Sequence, residues 1–523
     1  MGERVAETER KYEASGQSGF EADGLAGVAE VRRPAADRLD AVYYDTAGLA
    51  LVAHRTTLRR RTGGQDAGWH LKLPTAQADT RTEVHAPLGS ATGEATGEPP
   101  EELRTEVAAI VRGHPLAPVV RLRTTRRRTL LLDDEGRTLA EIAHDEVAAD
   151  LAEPSEPRSE EPSWTPGPAW TETEVELAEG GADLLDAVEE RLLAAGMRRS
   201  SSPSKLAHAL GDRLVPPLPG PPAVPETAGQ TATGYLYEQL TALLALDPAV
   251  RRAEEDAVHR MRVATRRARS ALKSFGRELD RRVTDPLGGE LKWLAGALGL
   301  ERDREVLAER LARRLAELDP ALTGEALRRR LRARGEGEPS TEAATAGSAS
   351  SAHAALVREL DGARYFALLD GMEALLAAPP FLRPAADAPA GTSAAATVRR
   401  DHARLRAAVE TALAMPAGDD RDTALHDARK DAKRARYSSE AATAVLGKRA
   451  AAHTSRLKGI QQLLGEHQDG YLCRTALVPL RADAVAAGED PAPYDAMIRR
   501  ERELAAGVEA DLPAAWREAD QPV

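Results

Sequence analysis

The chain has 523 residues, of which 42% are apolar, 29% charged and only 3% aromatic, with a net charge of −12. That length exceeds one ordinary core and implies two or three domains, packed mainly with Ala, Leu and Val. The acidic balance excludes a nucleic-acid binder held by bulk charge, and the single cysteine, Cys473, excludes a disulfide framework or a thiolate zinc site. The opening MGERVAETERKYE is charged where a secretory signal is apolar, and no run approaches the roughly 18 apolar residues of a membrane span. A soluble, cytoplasmic protein without a membrane partner is expected.

In chain order, the first part reads as short strands with period-two alternation: ETERKYE, TLRRRT, GWHLKLP, RTEVHAPL, VVRLRTTRRRTLLL, LAEIAHDEVA and TETEVELA. Leu214 to Thr227 (LVPPLPGPPAVPET) predicts a stiff, extended spacer. Beyond it, Ala257 to Leu279 and Asp422 to Leu446 carry helical spacing, interrupted by two loops: a Gly/Ser/Thr/Ala stretch over Arg334 to Ala352 and a Pro/Ala-rich stretch over Ala378 to Thr397. The expected fold class is α+β multidomain. Its divisions are a β-rich domain over 1–213, a linker over 214–228 and an all-helical domain over 229–515.

The strands alternate unusually, because the set that stands out is charged. Glu7, Glu9 and Lys11 share one face, as do Arg59 with Arg61, Arg121 with Arg123, and Glu172 with Glu174 and Glu176. Lys72 sits between two leucines, and Arg81 is spaced to match Glu83. A flat sheet would turn such charges to solvent. Yet the acids fall in the first and last strands and the bases in the middle ones. If the sheet closes, the carboxylates converge on a hard cation such as Mg²⁺ or Mn²⁺, and the cations face the same wet lumen. Carboxylates for a metal and many cations for an anion suit a polyphosphate substrate.

ETERKY resembles the Glu-x-Glu-x-Lys signature of the CYTH superfamily, the triphosphate tunnel enzymes. YYDT at Tyr43, TLRRRTGG at Thr57, WHLKLP at Trp69, RTEV at Arg81, then EIAHDEV, TETEVEL and SKLAHAL follow in the family's order over about residues 5 to 210. The resemblance implies an eight-stranded antiparallel barrel that hydrolyses tripolyphosphate, thiamine triphosphate or RNA 5′-triphosphates, or in one branch cyclises ATP. It implies Glu7, Glu9, Glu172, Glu174 and Glu176 as metal ligands and Glu7, Glu9, Lys11 and Lys72 as the residues that carry the chemistry. Lys11, Arg59, Arg61, Lys72, Arg81, Arg121, Arg123 and Lys205 would hold phosphate. Glu141 and Asp145 match further polar positions without an assigned role, and His70 and His85 read as surface or packing histidines.

The helical part contains a repeat. HRMRVATRRAR starts at His259 and HDARKDAKRAR at His426, with cations at matching offsets; LKWLAGALGLERD (from Leu291) and LKGIQQLLGEHQD (from Leu457) follow at matching distances. At ~100° per residue, His259, Arg262, Arg266, Arg269 and Lys273 fall within roughly 80°, beside an apolar arc of Met261, Ala264, Ala268 and Leu272. That placement suits a groove between helices. The pattern resembles the CHAD domain, a conserved-histidine helical module of two bundle repeats, over about residues 230 to 510. The resemblance implies polyphosphate binding through His259, Arg262, Arg266, Arg269, Lys273 and Lys292, and in the second half through His426, Arg429, Lys433, Arg436 and Lys458. Lys273 corresponds to Glu440, so the halves are expected to bind unequally. Each His, near its ordinary pKa of about 6.5, is expected to add charge when an anion binds.

A Mg²⁺- or Mn²⁺-dependent triphosphatase with a polyphosphate-binding module is the expected function. A non-catalytic polyphosphate binder, an adenylate cyclase and a thiamine triphosphatase are the alternatives. Two Glu-x-Glu clusters would repel phosphate in a pure binder unless a metal bridges them. A nucleic-acid partner is not expected, since no aromatic stacking set exists.

Overall fold

The computed structural model describes residues 3–14, 24–75, 77, 79–88, 98–153, 162–336 and 348–521. The chain divides into two compact units, Met1–Pro219 and Gly220–Val523. Among the described residues no helix is long and apolar enough to cross a membrane.

The first unit is built on β1 (Glu3–Ala14), β2 (Glu30–Arg32), β3 (Asp37–Asp45), β4 (Thr57–Thr62), β5 (Gly68–Pro74), β6 (Thr80–Ala86), β7 (Ala117–Leu132), β8 (Thr138–Ala152), β9 (Trp164–Leu177) and β10 (Met197–Arg199). Eight of these pair in the order β1-β6-β5-β4-β3-β7-β8-β9, and β9 returns to β1, so the antiparallel barrel closes. The two short strands sit outside the ring, β2 on β7 and β10 on β1.

This barrel inverts the usual order of a core. Its apolar residues lie on the outer faces, where helices cover them. Tyr12, Leu131, Ile142 and Val175 pack under the Ala182–Ala194 helix through Leu185, Val188 and Leu192. Leu58, Trp69, Leu71 and Val84 pack against Leu103, Val107 and Val111. Such burial contributes roughly 25 cal/mol per Å² and lets the ring close around a charged interior. Only one end of the lumen is apolar: Val120, Leu122, Val147 and Ala149 meet Leu206, Ala209 and Leu210 of the Lys205–Leu210 helix. Ser204 caps that helix, accepting from Ala207 N at 3.1 Å, which fixes where Lys205 enters the barrel.

The second unit is all-helical. Three helices, Ala228–Arg251, Ala257–Ser274 and Arg281–Ala316, correspond in order to Ala390–Ala414, Asp419–Ala441 and Lys448–Ala486, and Ala492–Ala519 closes the chain. The two leading helices begin side by side: Thr227 bridges Pro389, Ala228 N donates to Ala388 O and Ala390 N to Glu226 O, both at 2.9 Å. A capping box between Thr227 and Gln230 starts the first of them. Small residues fill the core, with Ala428, Ala432 and Ala435 fully buried against Leu457, Ile460 and Leu464. The arc Met261, Ala264, Ala268 and Leu272 is buried as its spacing predicted.

Two sequence readings need revision. The Pro/Ala-rich stretch 378–397 is not a loop throughout, since a helix starts at Ala390. Pro389 stands at the helix N-cap, and four of the eight residues of AGTSAAAT are Ala, the best helix former. Of the stretch 334–352, residues up to Glu336 and from Ser348 are helical, and 337–347 lie outside the described residues.

Candidate functional site: a charged barrel lumen and a cationic helix pair

The lumen holds a cavity of about 320 Å³. Glu7, Glu9, Lys11, Arg59, Arg61, Lys72, Arg81, Glu174, Glu176 and Lys205, all singled out in the sequence, line it. Strand order sorts them. Neighbouring strands β8, β9 and β1 form an acidic wall, β4 and β7 bring Arg59, Arg61, Arg126 and Arg128, and β3 between them adds Asp37 and Tyr43.

Arg121 and Arg123 are not part of this site, contrary to the sequence reading. They lie on the outer face of β7, where Arg121 Nε bonds Asp40 at 3.0 Å and Arg123 reaches Asp150 at 2.7 Å. The lumen cations of β7 are Arg126 and Arg128, of opposite parity. A strand's side-chain period is two, so odd positions face out wherever even ones face in. In VVRLRTTRRRTLLL both parities carry cations; Val120 and Leu122 share the inward face with Arg126 and Arg128, and only ring closure separates the two faces. Tyr43, Glu83, Asp37 and Asp66 also line the cavity and carried no assignment.

The lumen is a network of buried ion pairs. Lys72 Nζ lies 2.6 Å from the Glu7 carboxylate and 3.4 Å from Glu9. Lys11 bridges Glu9, at 3.1 Å, and Glu174. Lys205 sits among Glu172 at 2.6 Å, Glu174 at 2.7 Å and Asp145 at 3.0 Å. Arg126 grips Asp145 through two bonds of 2.8 and 2.7 Å and reaches Glu174 at 2.8 Å. Glu172 lies behind the cavity wall, also accepting from Trp170 Nε1 at 2.7 Å. His70 is a packing residue, bonded to Glu83 at 2.9 Å and to Asp66 O at 3.0 Å, with His85 edge-on to its ring.

Titration behaviour separates the carboxylates. Burial opposes ionisation of Glu9, but Lys11 and Lys72 outweigh it and hold the carboxyl at about 2. Glu174 is likewise held well below the usual range by Lys11, Lys205 and Arg126, against its burial. Burial together with Glu7, Glu9 and Glu141 pushes Glu176 up to about 8, and burial raises Glu7 as well. Glu176 stands directly opposite Glu9 on β1 and Glu141 on β8. Like charges facing across strands repel, and among the described residues Glu176 forms no ion pair. Glu7, Glu9 and Glu176 thus form one acidic group of the lumen, with Lys72 acting on all three. A second acidic group, Asp145, Glu172 and Glu174, is close enough to share an ion but is neutralised by Lys205 and Arg126.

In the helical unit the two His helices pack together and pool their cations. Arg262 and Arg266 from the first act on Arg429 and Lys433 from the second. Burial, then Arg429, Arg266 and Arg262, push the Lys433 ammonium down to about 6. The repeat is visible in detail. Arg262 bonds Asp303 at 2.9 Å and Arg429 approaches Asp469 at 4.0 Å; Gly299 and Gly465 sit at equivalent positions beside the two guanidinia. The +8 arginines cross over: Arg267 pairs with Glu440, and Arg434 donates to Lys273 O at 3.1 Å. Glu440 is therefore committed to an ion pair between the halves. Arg269 and Arg436 are half-buried, Arg436 lying over the Tyr437 ring, whereas Lys273, Lys292 and Lys458 are exposed. His259 is half-buried; His426 Nδ1 donates to Gln468 Oε1 at 2.5 Å, and burial with Lys430 and Arg429 lowers its pKa. His426 is thus less ready to charge than its ordinary pKa suggests.

Comparison with known proteins agrees with this geometry. Residues 6–210 match the CYTH domain, and residues 234–478 match the CHAD domain. Two Mycobacterium tuberculosis proteins, the uncharacterized protein Rv2226 of strain H37Rv and MT2285 of strain CDC 1551, are each 39% identical over 535 residues. Each alignment covers 99% of this chain and 97% of the relative. Among solved structures, PptA from Streptomyces chartreusis is 23% identical, with a TM-score of 0.44, over 56% of this chain and 99% of its own. The CHAD domain from the plant Ricinus communis is 23% identical, with the same TM-score, over 58% of this chain and 94% of its own. CYTH domains are in general triphosphate-tunnel metalloenzymes, and CHAD domains are linked to polyphosphate. The chain belongs to the CYTH family through residues 6–210, carries a CHAD domain later in its sequence, and aligns over nearly its whole length with two mycobacterial relatives.

Proposed function

We propose that the barrel hydrolyses inorganic triphosphate with a divalent cation, and that the helical unit binds polyphosphate. The observation that supports this best is the meeting of charges in one small cavity: Arg59, Arg61, Arg126 and Arg128 share it with Glu7, Glu9 and Glu176, of which Glu176 forms no ion pair among the described residues. Among the described residues Tyr43 is the one aromatic residue lining that cavity, which favours an inorganic chain over a nucleotide. In this reading Glu7, Glu9 and Glu176 would hold Mg²⁺ or Mn²⁺, which would supply charge neutralisation for a bound phosphate chain. Arg59 would grip the chain through forked hydrogen bonds, joined by Arg61, Arg126 and Arg128 on leaving Asp66, Asp145 and Asp37. Lys11 and Lys72 stabilise charge that develops on the transferred group, in a site already organised to do so. An acidic-wall carboxylate orients the attacking water or accepts its proton. Glu172 and Glu174 would join the metal set only by leaving Lys205, Lys11 and Arg126.

The helical unit would hold longer chains along Arg262, Arg266, Arg429 and Lys433, with Arg269, Arg436 and the two histidines beside them. In this reading 1–213 is the hydrolase, 214–228 a spacer and 229–515 the binding module. The test is phosphate release from tripolyphosphate, thiamine triphosphate and ATP, with and without Mg²⁺, and with cyclic AMP measured alongside. Glu9→Gln should abolish metal-dependent release; activity retained in that variant would overturn the assignment, and cyclic AMP as main product would favour the cyclase.

A further inference from the structure

A second cavity, of about 450 Å³, adjoins the lumen and shares Glu9, Lys11 and Arg81 with it. The two lie toward opposite ends of the barrel. The first is lined by Gly64, Gln65 and Asp66 of the β4–β5 turn, and the second by Thr75, Gln77 and Asp79 of the β5–β6 turn. Successive turns of an antiparallel meander fall at opposite ends of its strands. A linear ligand that fills both cavities would therefore pass the length of the barrel, with Lys11, Glu9 and Arg81 at the partition.

The chemistry of the second cavity is that of an anion site. Arg81 donates to two backbone carbonyls, Arg55 O at 3.2 Å and Pro203 O at 3.0 Å, and among the described residues meets no carboxylate. Its charge stays uncompensated, and three of its five N–H donors remain available. Arg55 is exposed, with no ion pair among the described residues, and its backbone sits in the left-handed region at φ 57°. The acid on this wall, Asp79, is already satisfied by Arg10 and Arg199, each at 3.1 Å. Among the described residues no aromatic ring lines the cavity, so a base or a thiazolium finds none there to stack on.

Building on the triphosphatase reading of the lumen, we infer that this cavity is a further phosphate subsite, which engages the groups of an inorganic chain longer than triphosphate through Arg55 and Arg81. The test compares kcat/KM of the full-length protein on tripolyphosphate, inorganic tetraphosphate and ATP. Arg55→Gln lowers the value for tetraphosphate about ten-fold more than that for tripolyphosphate, the loss of one charge-assisted hydrogen bond. Arg55→Lys, which keeps the charge, restores most of it. An equal loss on both phosphates, no loss on either, or a selective loss on ATP overturns the subsite. If the wild type hydrolyses none of the three, the reading of the lumen fails instead. Calorimetric binding of tetraphosphate then decides the subsite. The helical cations are identical in wild type and Arg55→Gln, so a weaker variant supports it and equal affinities overturn it.

Discussion

Replacing Arg126 with leucine tests the parity of β7 and the role of its inward face together. Arg126 makes two bonds of 2.8 and 2.7 Å to Asp145, whose side chain is fully buried, and one of 2.8 Å to Glu174. Its removal strands two buried carboxylates, and breaking such a pair costs about 3–5 kcal/mol. Lys205, 3.0 Å from Asp145, offsets part of that, so about 3 kcal/mol is expected. For a unit of this size the melting temperature falls by roughly 2–4 °C per kcal/mol, a drop of roughly 6–12 °C for the barrel transition. Arg123→Leu is the matched control. Its side chain is 53% exposed, and a surface pair contributes about 0–1 kcal/mol, so its transition should barely move. Scanning calorimetry of the full chain reads both, and phosphate release under excess substrate should fall at least a hundred-fold for Arg126→Leu alone. The double change Arg126→Leu with Asp145→Leu should recover part of the stability, because one stranded charge is gone. Equal shifts for the two single variants, or inactivation by Arg123→Leu alone, would refute the assignment of faces.

Three further outcomes follow from particular contacts. Glu176→Gln removes an acid crowded by Glu7, Glu9 and Glu141, so it should raise the melting temperature in EDTA yet abolish the stabilisation that Mg²⁺ gives the wild type; destabilisation in EDTA would contradict the crowding. Lys433, held at about 6, should take up a proton when a polyanion arrives. Between pH 6 and its ordinary pKa, affinity for long polyphosphate should therefore fall as pH rises, with proton uptake measured calorimetrically in two buffers. Without ligand the sign reverses: the unfolded lysine binds the extra proton over that window, so stability of the helical unit rises with pH. Lys433→Met should flatten both dependences. Gly299→Ala brings a Cβ to within 3.1 Å of the Arg262 guanidinium, whereas at Gly465 the nearest Arg429 atoms are 3.8 Å away. Polyphosphate affinity should fall several-fold for Gly299→Ala and little for Gly465→Ala, and the reverse order would exclude the packing argument.

Much of this protein could be read from residue order alone, because its organising signals are local. Alternating charge named seven of the eight barrel strands, a doubled His motif named the helical repeat, and Glu7, Glu9, Lys11, Lys72, Arg59, Arg61 and Lys205 were all placed on one site. Period-two spacing reports which side chains share a face, and that holds for any strand whatever its surroundings. It does not report which of two charged faces points inward. β7 offers cations at both parities, so closure of the ring, with Val120 and Leu122 against the Lys205–Leu210 helix, assigned Arg126 and Arg128 to the lumen and sent Arg121 and Arg123 outside.

Neutralisation was equally a tertiary matter. Glu172, Glu174 and Glu176 are indistinguishable in TETEVEL, yet Lys205 reaches the first two from a helix about thirty residues on, while Glu176 faces Glu9 and Glu141 and forms no ion pair among the described residues. Sequence set the types of charge and their spacing along each strand. Only the register between strands, fixed by ring closure and by what the outer helices bury, decided which charges cancel and which remain for a ligand.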